Sequence, residues 1–348
     1  GKDPAAIRPD DTFVGLGGDS MSYVACAAAL EQLLGSLPPD WHRIPISDLP
    51  PSTGGPRRWR AMDTTVVLRA LAIIIVVGSH IGVMDIRGGA HLLIAIAGWN
   101  FARFRLQTGL PRRAELRGAL RSVGRIMVPA AVWLGALVVI GSEYSPTVLF
   151  GTNLFGSAER SPEWRYWYVE ALVFVLLAAI ALLAIPTVHA LHRRHPFGLS
   201  MAVLAVTLAL HYPLTAKDGP TELYTPVAVA WLFAAGWALA HAPSQRAQLL
   251  VVGVVALGLI GYFDEPWRPA VVLVGVALVA LRPTMPVPAL LVPGITALAA
   301  ASLWIYLTHW QVYPPLQEWG WVALVASLAF GVAVYRAEEW VRRRMVRT

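Results

Sequence analysis

Cysteine is almost absent from this chain of 348 residues, with Cys26 standing alone. That excludes an internal disulfide and leaves no pattern for a zinc site. Charge is scarce as well: 14% of residues are Asp, Glu, Lys or Arg, where a soluble domain carries about a quarter. With 56% hydrophobic residues and a mean hydropathy of +0.57, the composition excludes an ordinary soluble globule and points to a polytopic membrane protein. The net charge of +7 raises the question of nucleic acid. The basic residues cluster between apolar runs, however, and membrane topology accounts for them there without a polyanion. No cleavable signal peptide is visible in the polar, proline-rich first 60 residues, so insertion is expected to rest on the first spanning helix. No internal repeat or low-complexity tract stands out.

What is present begins with the run from Thr64 to Met84, TTVVLRALAIIIVVGSHIGVM, long and apolar enough to cross a bilayer. It carries Arg69 and His80 inside it. An arginine near the centre of a span costs at least about 2.5 kcal/mol and usually faces protein or water rather than lipid. Eleven positions at about 100° each place the two residues on one helical face, about 16 Å apart. Taken singly, His80 is equally a buried neutral imidazole bonded to a carbonyl, and Arg69 a side chain snorkelling to the interface.

Apolar runs split by prolines and charges suggest an all-α fold, a polytopic bundle of about ten transmembrane helices near 64–84, 89–106, 124–142, 164–185, 197–212, 224–241, 247–263, 267–281, 289–312 and 320–336. Of the arginines and lysines in the connections, nineteen fall on the side of the N-terminus and the even-numbered loops and five on the other. That excess predicts a plasma (inner) membrane protein with both termini in the cytoplasm. The basic segment from Arg103 to Arg125 is expected as an amphipathic interfacial helix, set on anionic lipid or serving to dock the acidic N-terminal module or a phosphate of its prosthetic arm.

Residues 1–50 hold seven acids against three bases and read as a separate small helical module, joined through a linker at 51–60 to a membrane domain at 61–348. Asp19-Ser20 opens a predicted amphipathic helix with Met21, Val24, Leu30, Leu33 and Leu34 on its apolar positions. An ordinary Asp or Ser N-cap explains that much. Phe13, Leu16 and the run LGGDS go further, because together they resemble the attachment site of acyl- and peptidyl-carrier domains. The resemblance continues through Trp41 to Leu49, where carriers have their next short helices. It implies a covalent 4′-phosphopantetheine on Ser20, flanked by Asp19, installed by a phosphopantetheinyl transferase. Only 12 residues precede Phe13, too few for the first helix of a complete carrier, so either a minimal carrier or a longer polypeptide with an upstream adenylating domain is expected.

Arg69 and His80 together, Arg-x10-His in the first span, resemble the signature of the membrane acyltransferase-3 family. Gly98 to Phe101 lie where that family has a serine-glycine-aromatic stretch, with Ala97 in the place of the serine. Arg121, Arg125, Ile126 and Pro129 resemble its basic lead-in to the third span. Tyr166 to Glu170 and Ser302 to His309 resemble later segments, the first without the usual serine-leucine pair. The resemblance implies transfer of an acyl group to a hydroxyl or amine of a cell-envelope glycan, lipid or related acceptor. Histidine, with a reference pKa of about 6.5, suits the base for that reaction, which makes His80 the candidate general base. Arg69 is the candidate for holding the phosphate of a pantetheine arm, since a fixed fork-shaped cation matches a phosphate. Glu170 is a candidate to orient a histidine or hold the acceptor, with a structural ion pair as the other reading. His309 is a candidate second proton carrier or acceptor contact, with a helix-packing hydrogen bond as the other reading. Trp99, Asn100, Trp164 and Trp167 either line an acceptor pocket or belong to an interfacial belt. Two alternatives stay open: an enzyme drawing on free acyl-coenzyme A with Ser20 vestigial, and a non-catalytic transporter or flippase in which Arg69 and Glu170 mark a substrate path. No metal and no nucleic acid partner is expected.

Overall fold

The computed structural model describes residues 7–34, 37–38, 40–50, 58–106, 110–141, 143–156, 161–214 and 222–347. The fold is all-α. Among the described residues there are fourteen α-helices and one two-stranded ribbon, divided between two compact units: residues 1–89 with 281–348, and residues 90–280.

The first unit opens with helix α1, Ser20–Leu34. Its start is fixed by a reciprocal cap, in which Asp19 Oδ1 accepts the Ser22 N–H at 2.9 Å and Ser22 Oγ accepts the Asp19 N–H at 2.9 Å. This pattern satisfies two otherwise unpaired donors. Tyr23 of α1 stacks on Trp41 with ring centroids 5.2 Å apart, and Phe13 meets both rings. The stretch Trp41 to Leu49 forms two short 3₁₀ turns, Trp41–Arg43 and Ile46–Asp48, where short helices are expected. Leu33 departs from the expected apolar face and is 73% exposed.

Strand β1, Trp59–Asp63, pairs antiparallel with β2, Thr284–Pro288, with Trp59 opposite Pro288 and Asp63 opposite Thr284. Flanking bonds from Thr64 N–H to Pro283 O and from Ala289 N–H to Arg58 O set the phase of the ladder. In that phase Pro286 and Pro288 fall at non-hydrogen-bonded pairs, so their missing N–H groups cost no ladder bond. Helix α2, Thr64–Ile81, follows at once, with Asp63 as its N-cap: Oδ1 accepts the Thr65 N–H at 2.9 Å and the Thr65 hydroxyl at 2.6 Å. Gly82, at φ 85°, closes α2 in the left-handed region that glycine adopts without strain.

Around α2 pack three helices from the other end of the chain: α12 (Val292–Ala300), α13 (Ser302–Val312) and α14 (Gly320–Arg347). The expected ninth span is thus two helices, bent by 78° at Ala301. Neither glycine nor proline occupies that position, so local propensity does not announce the break.

The second unit runs through α3 (Gly89–Arg105), α4 (Arg112–Val139), the short α5 (Thr152–Phe155), α6 (Trp167–Ala184), α7 (Pro186–Arg194), α8 (Pro196–Leu214), α9 (Pro226–His241), α10 (Gln245–Gly258) and α11 (Trp267–Leu281). Eleven of the sixteen residues of α9 are buried, with α6, α8 and α10 packed against it. Where α3 crosses α9 the backbones touch. A Cβ on Gly98 would collide with the Phe233 carbonyl, and one on Gly236 with the Ala95 carbonyl. Small residues at such crossings let helices approach without a hydrophobic drive from lipid.

Each of the ten expected apolar segments contains a helix among the described residues. Among the described residues four helical stretches are long and apolar enough to span a membrane alone, Thr64–Ile81, Arg112–Val139, Pro162–Ala184 and Pro314–Arg344, and the bent α12–α13 pair would make a fifth. Helices α8 to α11 are apolar but shorter. The basic stretch differs from expectation. Arg103 and Arg105 close α3, whereas the arginines from Arg112 to Arg125 form the first half of the continuous α4. Arginine is a good helix former, and no proline interrupts the run before Pro129, so the basic and apolar halves join.

Candidate active site

His80 lies in the last turn of α2, and His309 near the end of α13. Helix packing brings their rings together from 229 positions apart in sequence: His80 Nδ1 and His309 Nε2 are 2.9 Å apart. His309 is fully buried. Its Nδ1 faces the backbone carbonyls of Tyr306 at 2.8 Å and Ile305 at 3.2 Å. A carbonyl only accepts, so Nδ1 of His309 carries a proton. In the neutral ring the other nitrogen, Nε2, is then an acceptor. It follows that Nδ1–H of His80 donates to it, and that the lone pair of a neutral His80 resides on Nε2. A fixed tautomer is the condition for a defined proton acceptor.

Aromatic rings enclose the pair. Trp310 sits 4.5 Å from His80 and 4.9 Å from His309, between centroids, and Tyr306 and Tyr313 flank His309. Sequence reading passed over Trp310; its one signal was adjacency to His309 at the same helix end. Arg69 is half-buried on α2, one part of the same unit. Ser20 begins α1. Asp19 is buried, and its Oδ1 is engaged with Ser22, so its described role is to cap α1.

Glu170 belongs to the second unit. It is buried near the start of α6, and its Oε1 accepts the Asn153 N–H at 3.0 Å, in the first turn of α5. That described contact is with a backbone amide. Trp164 and Trp167 are each 7% exposed, unlike belt tryptophans; Trp167 packs against His91 and Tyr224. Among the described residues Trp59, Trp267, Trp319, Trp321 and Trp340 are exposed. Asn100 is buried on α3. Among the described residues no group of histidine, cysteine and carboxylate side chains suits a metal ion.

The family model described as an acyltransferase domain matches residues 63–335. The chain belongs to the acyltransferase-3 family. Comparisons with curated proteins and with solved structures find no match. Membership in the acyltransferase-3 family, with the apolar helices, makes the chain a membrane acyltransferase. The match begins at Asp63, the cap of α2, so the front module lies outside it. It encloses both histidines of the pair.

Proposed function

We propose that this acyltransferase moves an acyl group from a thioester donor, held by the front module, to a hydroxyl or amine of an envelope glycan or lipid, with His80 as general base. The observation that carries the reading is the His80–His309 hydrogen bond of 2.9 Å, which gives His80 a defined basic nitrogen. Nε2 of His80 takes the acceptor's proton as its oxygen or nitrogen bonds to the acyl carbon. The carbon–sulfur bond breaks, and the imidazolium returns the proton to the departing sulfur. Atoms and charge balance: thioester plus alcohol or amine gives ester or amide plus thiol. His309 is a positioning residue here, acting through His80.

The front module fits a phosphopantetheine at its helix start: Ser20 is the first residue of a 15-residue helix, and a helix N-terminus favours a phosphodiester. When attached, that group supplies the thiol to which the acyl chain is bound. Arg69, about 16 Å from His80 along the same helix, suits the phosphate end. A covalently attached donor also has an effective concentration in about the mM range. The arginine distribution supports a cytoplasmic front module in the plasma membrane.

The test uses the full chain in lipid nanodiscs. Incubation with a phosphopantetheinyl transferase and acyl-coenzyme A is expected to add acyl-phosphopantetheine mass at Ser20. On addition of envelope lipid extract the acyl group is discharged by the wild type and not by His80→Ala. No mass gain at Ser20 removes the carrier as donor; discharge by His80→Ala at the wild-type rate removes the base.

A further inference from the structure

The front module is not merely strung beside the membrane helices. Tyr23, 4% exposed, donates its hydroxyl to Asp63 Oδ2 at 3.0 Å. Forty residues separate the two. The two oxygens of Asp63 divide the labour, since Oδ1 caps α2 through Thr65. On the module side, the Tyr23 ring is held by the stack with Trp41 and by the edges of Phe13 and His42. On the body side, Asp63 is the last residue of β1, locked opposite Thr284. Helix α1 also packs against α12. Each end of this one hydrogen bond is therefore set in a rigid surround.

We infer that Tyr23 and Asp63 form the docking pair that sets the front module over the mouth of α2 for acyl delivery. The inference rests on the carrier reading of Ser20. Ser20 precedes Tyr23 by three residues, so the attachment position lies on α1 within one turn of the residue that makes the docking bond. Asp63 precedes Arg69 by six residues, about 9 Å of helix, and Arg69 precedes His80 by about 16 Å more. The pair thus aligns three points: attachment site, phosphate-binding cation and base. An ordinary glue contact would stabilise the module without any preference for where the donor comes from. A docking pair matters only when the acyl group arrives on Ser20.

That difference supplies the experiment. Wild type, Tyr23→Phe and Asp63→Ser are compared in nanodiscs with two donors, the loaded module and soluble acyl-pantetheine. Serine keeps a capping oxygen for α2 but falls short of Tyr23. Both variants are expected to slow transfer from the loaded module by about 10-fold, the scale of a hydrogen bond to a charged group, and to leave transfer from acyl-pantetheine unchanged. The double variant is expected to lose no more than either single one. As a readout independent of turnover, amide exchange in residues 41–49 of the unloaded protein is expected to rise in both variants. Equal loss with both donors, or no loss with the loaded module, overturns the docking role while leaving the carrier reading standing. Failure of the loaded wild type to transfer at all overturns the carrier reading, and the docking role with it.

Discussion

Replacing His309 with phenylalanine isolates what that ring does for His80. Phenylalanine keeps the ring and most of its volume, but Nδ1–H of His80 loses the acceptor 2.9 Å away, in a spot where His309 itself is fully enclosed. A buried donor left unpaired costs about 1–3 kcal/mol. If that cost falls on the productive orientation of His80, turnover drops by about 5- to 150-fold, at about 1.4 kcal/mol per tenfold. His309→Gln separates hydrogen bonding from aromaticity. The glutamine amide oxygen reaches the place of Nε2, accepts from His80 and restores the tautomer, so most of the loss is expected to be recovered. His80→Ala, which removes the base itself, is expected to cost about 10²- to 10⁴-fold. The assay is single-turnover discharge of the loaded chain in nanodiscs across pH, with a thermal melt to establish that each variant is folded. A folded His309→Phe protein within twofold of wild type at every pH refutes the tautomer argument.

Two further predictions concern other parts of the fold. Glu31 of α1 lies with Arg60, Tyr335, Arg336 and Glu339 along a cleft of about 360 Å³, and its carboxyl is held above the ordinary value of 4.5 by burial, with Arg60 opposing and Asp63 reinforcing. A raised acid binds its proton more tightly in the docked state, so docking stability is fully present below about pH 4.5 and is lost as pH rises through the docked-state value. Glu31→Gln is expected to flatten that dependence and tighten docking at neutral pH, read by amide exchange in α1 corrected for intrinsic rates; an unchanged pH slope counts against it. In the second unit, Gly236→Ala forces α9 away from the Ala95 carbonyl of α3 and is expected to destabilise by about 1–3 kcal/mol or more, as overpacking does. Gly253→Ala, where an added Cβ meets nothing within 4 Å, is expected to be neutral or stabilising by up to about 1 kcal/mol. Equal melting points for the two variants refute the close-crossing argument.

The helices were legible because hydropathy and proline placement act locally. Thr64–Ile81 and Trp267–Leu281 fall almost where the apolar runs put them. The reason for Gly98 was not legible, since its partner, the Phe233 carbonyl, is 135 positions away. The bend at Ala301 was hidden for a different cause. Its surroundings, Ala299 to Ser302, contain neither proline nor glycine, so tertiary packing decides the break. Arg69 and His80 drew notice because polar groups in apolar runs are costly, and His309 for the same reason. Their cost does not say which two meet. Only the packing of α13 against α2 makes a pair of them, just as only the docked module joins Tyr23 to Asp63.

The pairing of β1 with β2 has a consequence for how the chain is made. Residues 63 and 284 close the first unit, so the whole second unit is synthesised between its two halves. At roughly 5–20 residues per second, the ribosome needs about 10–40 s to pass from α2 to α12. Throughout that interval Arg69 and His80 are in the bilayer without the helices that later shelter them. The first unit therefore assembles last around α2, and the histidine pair exists only once α13 has left the ribosome.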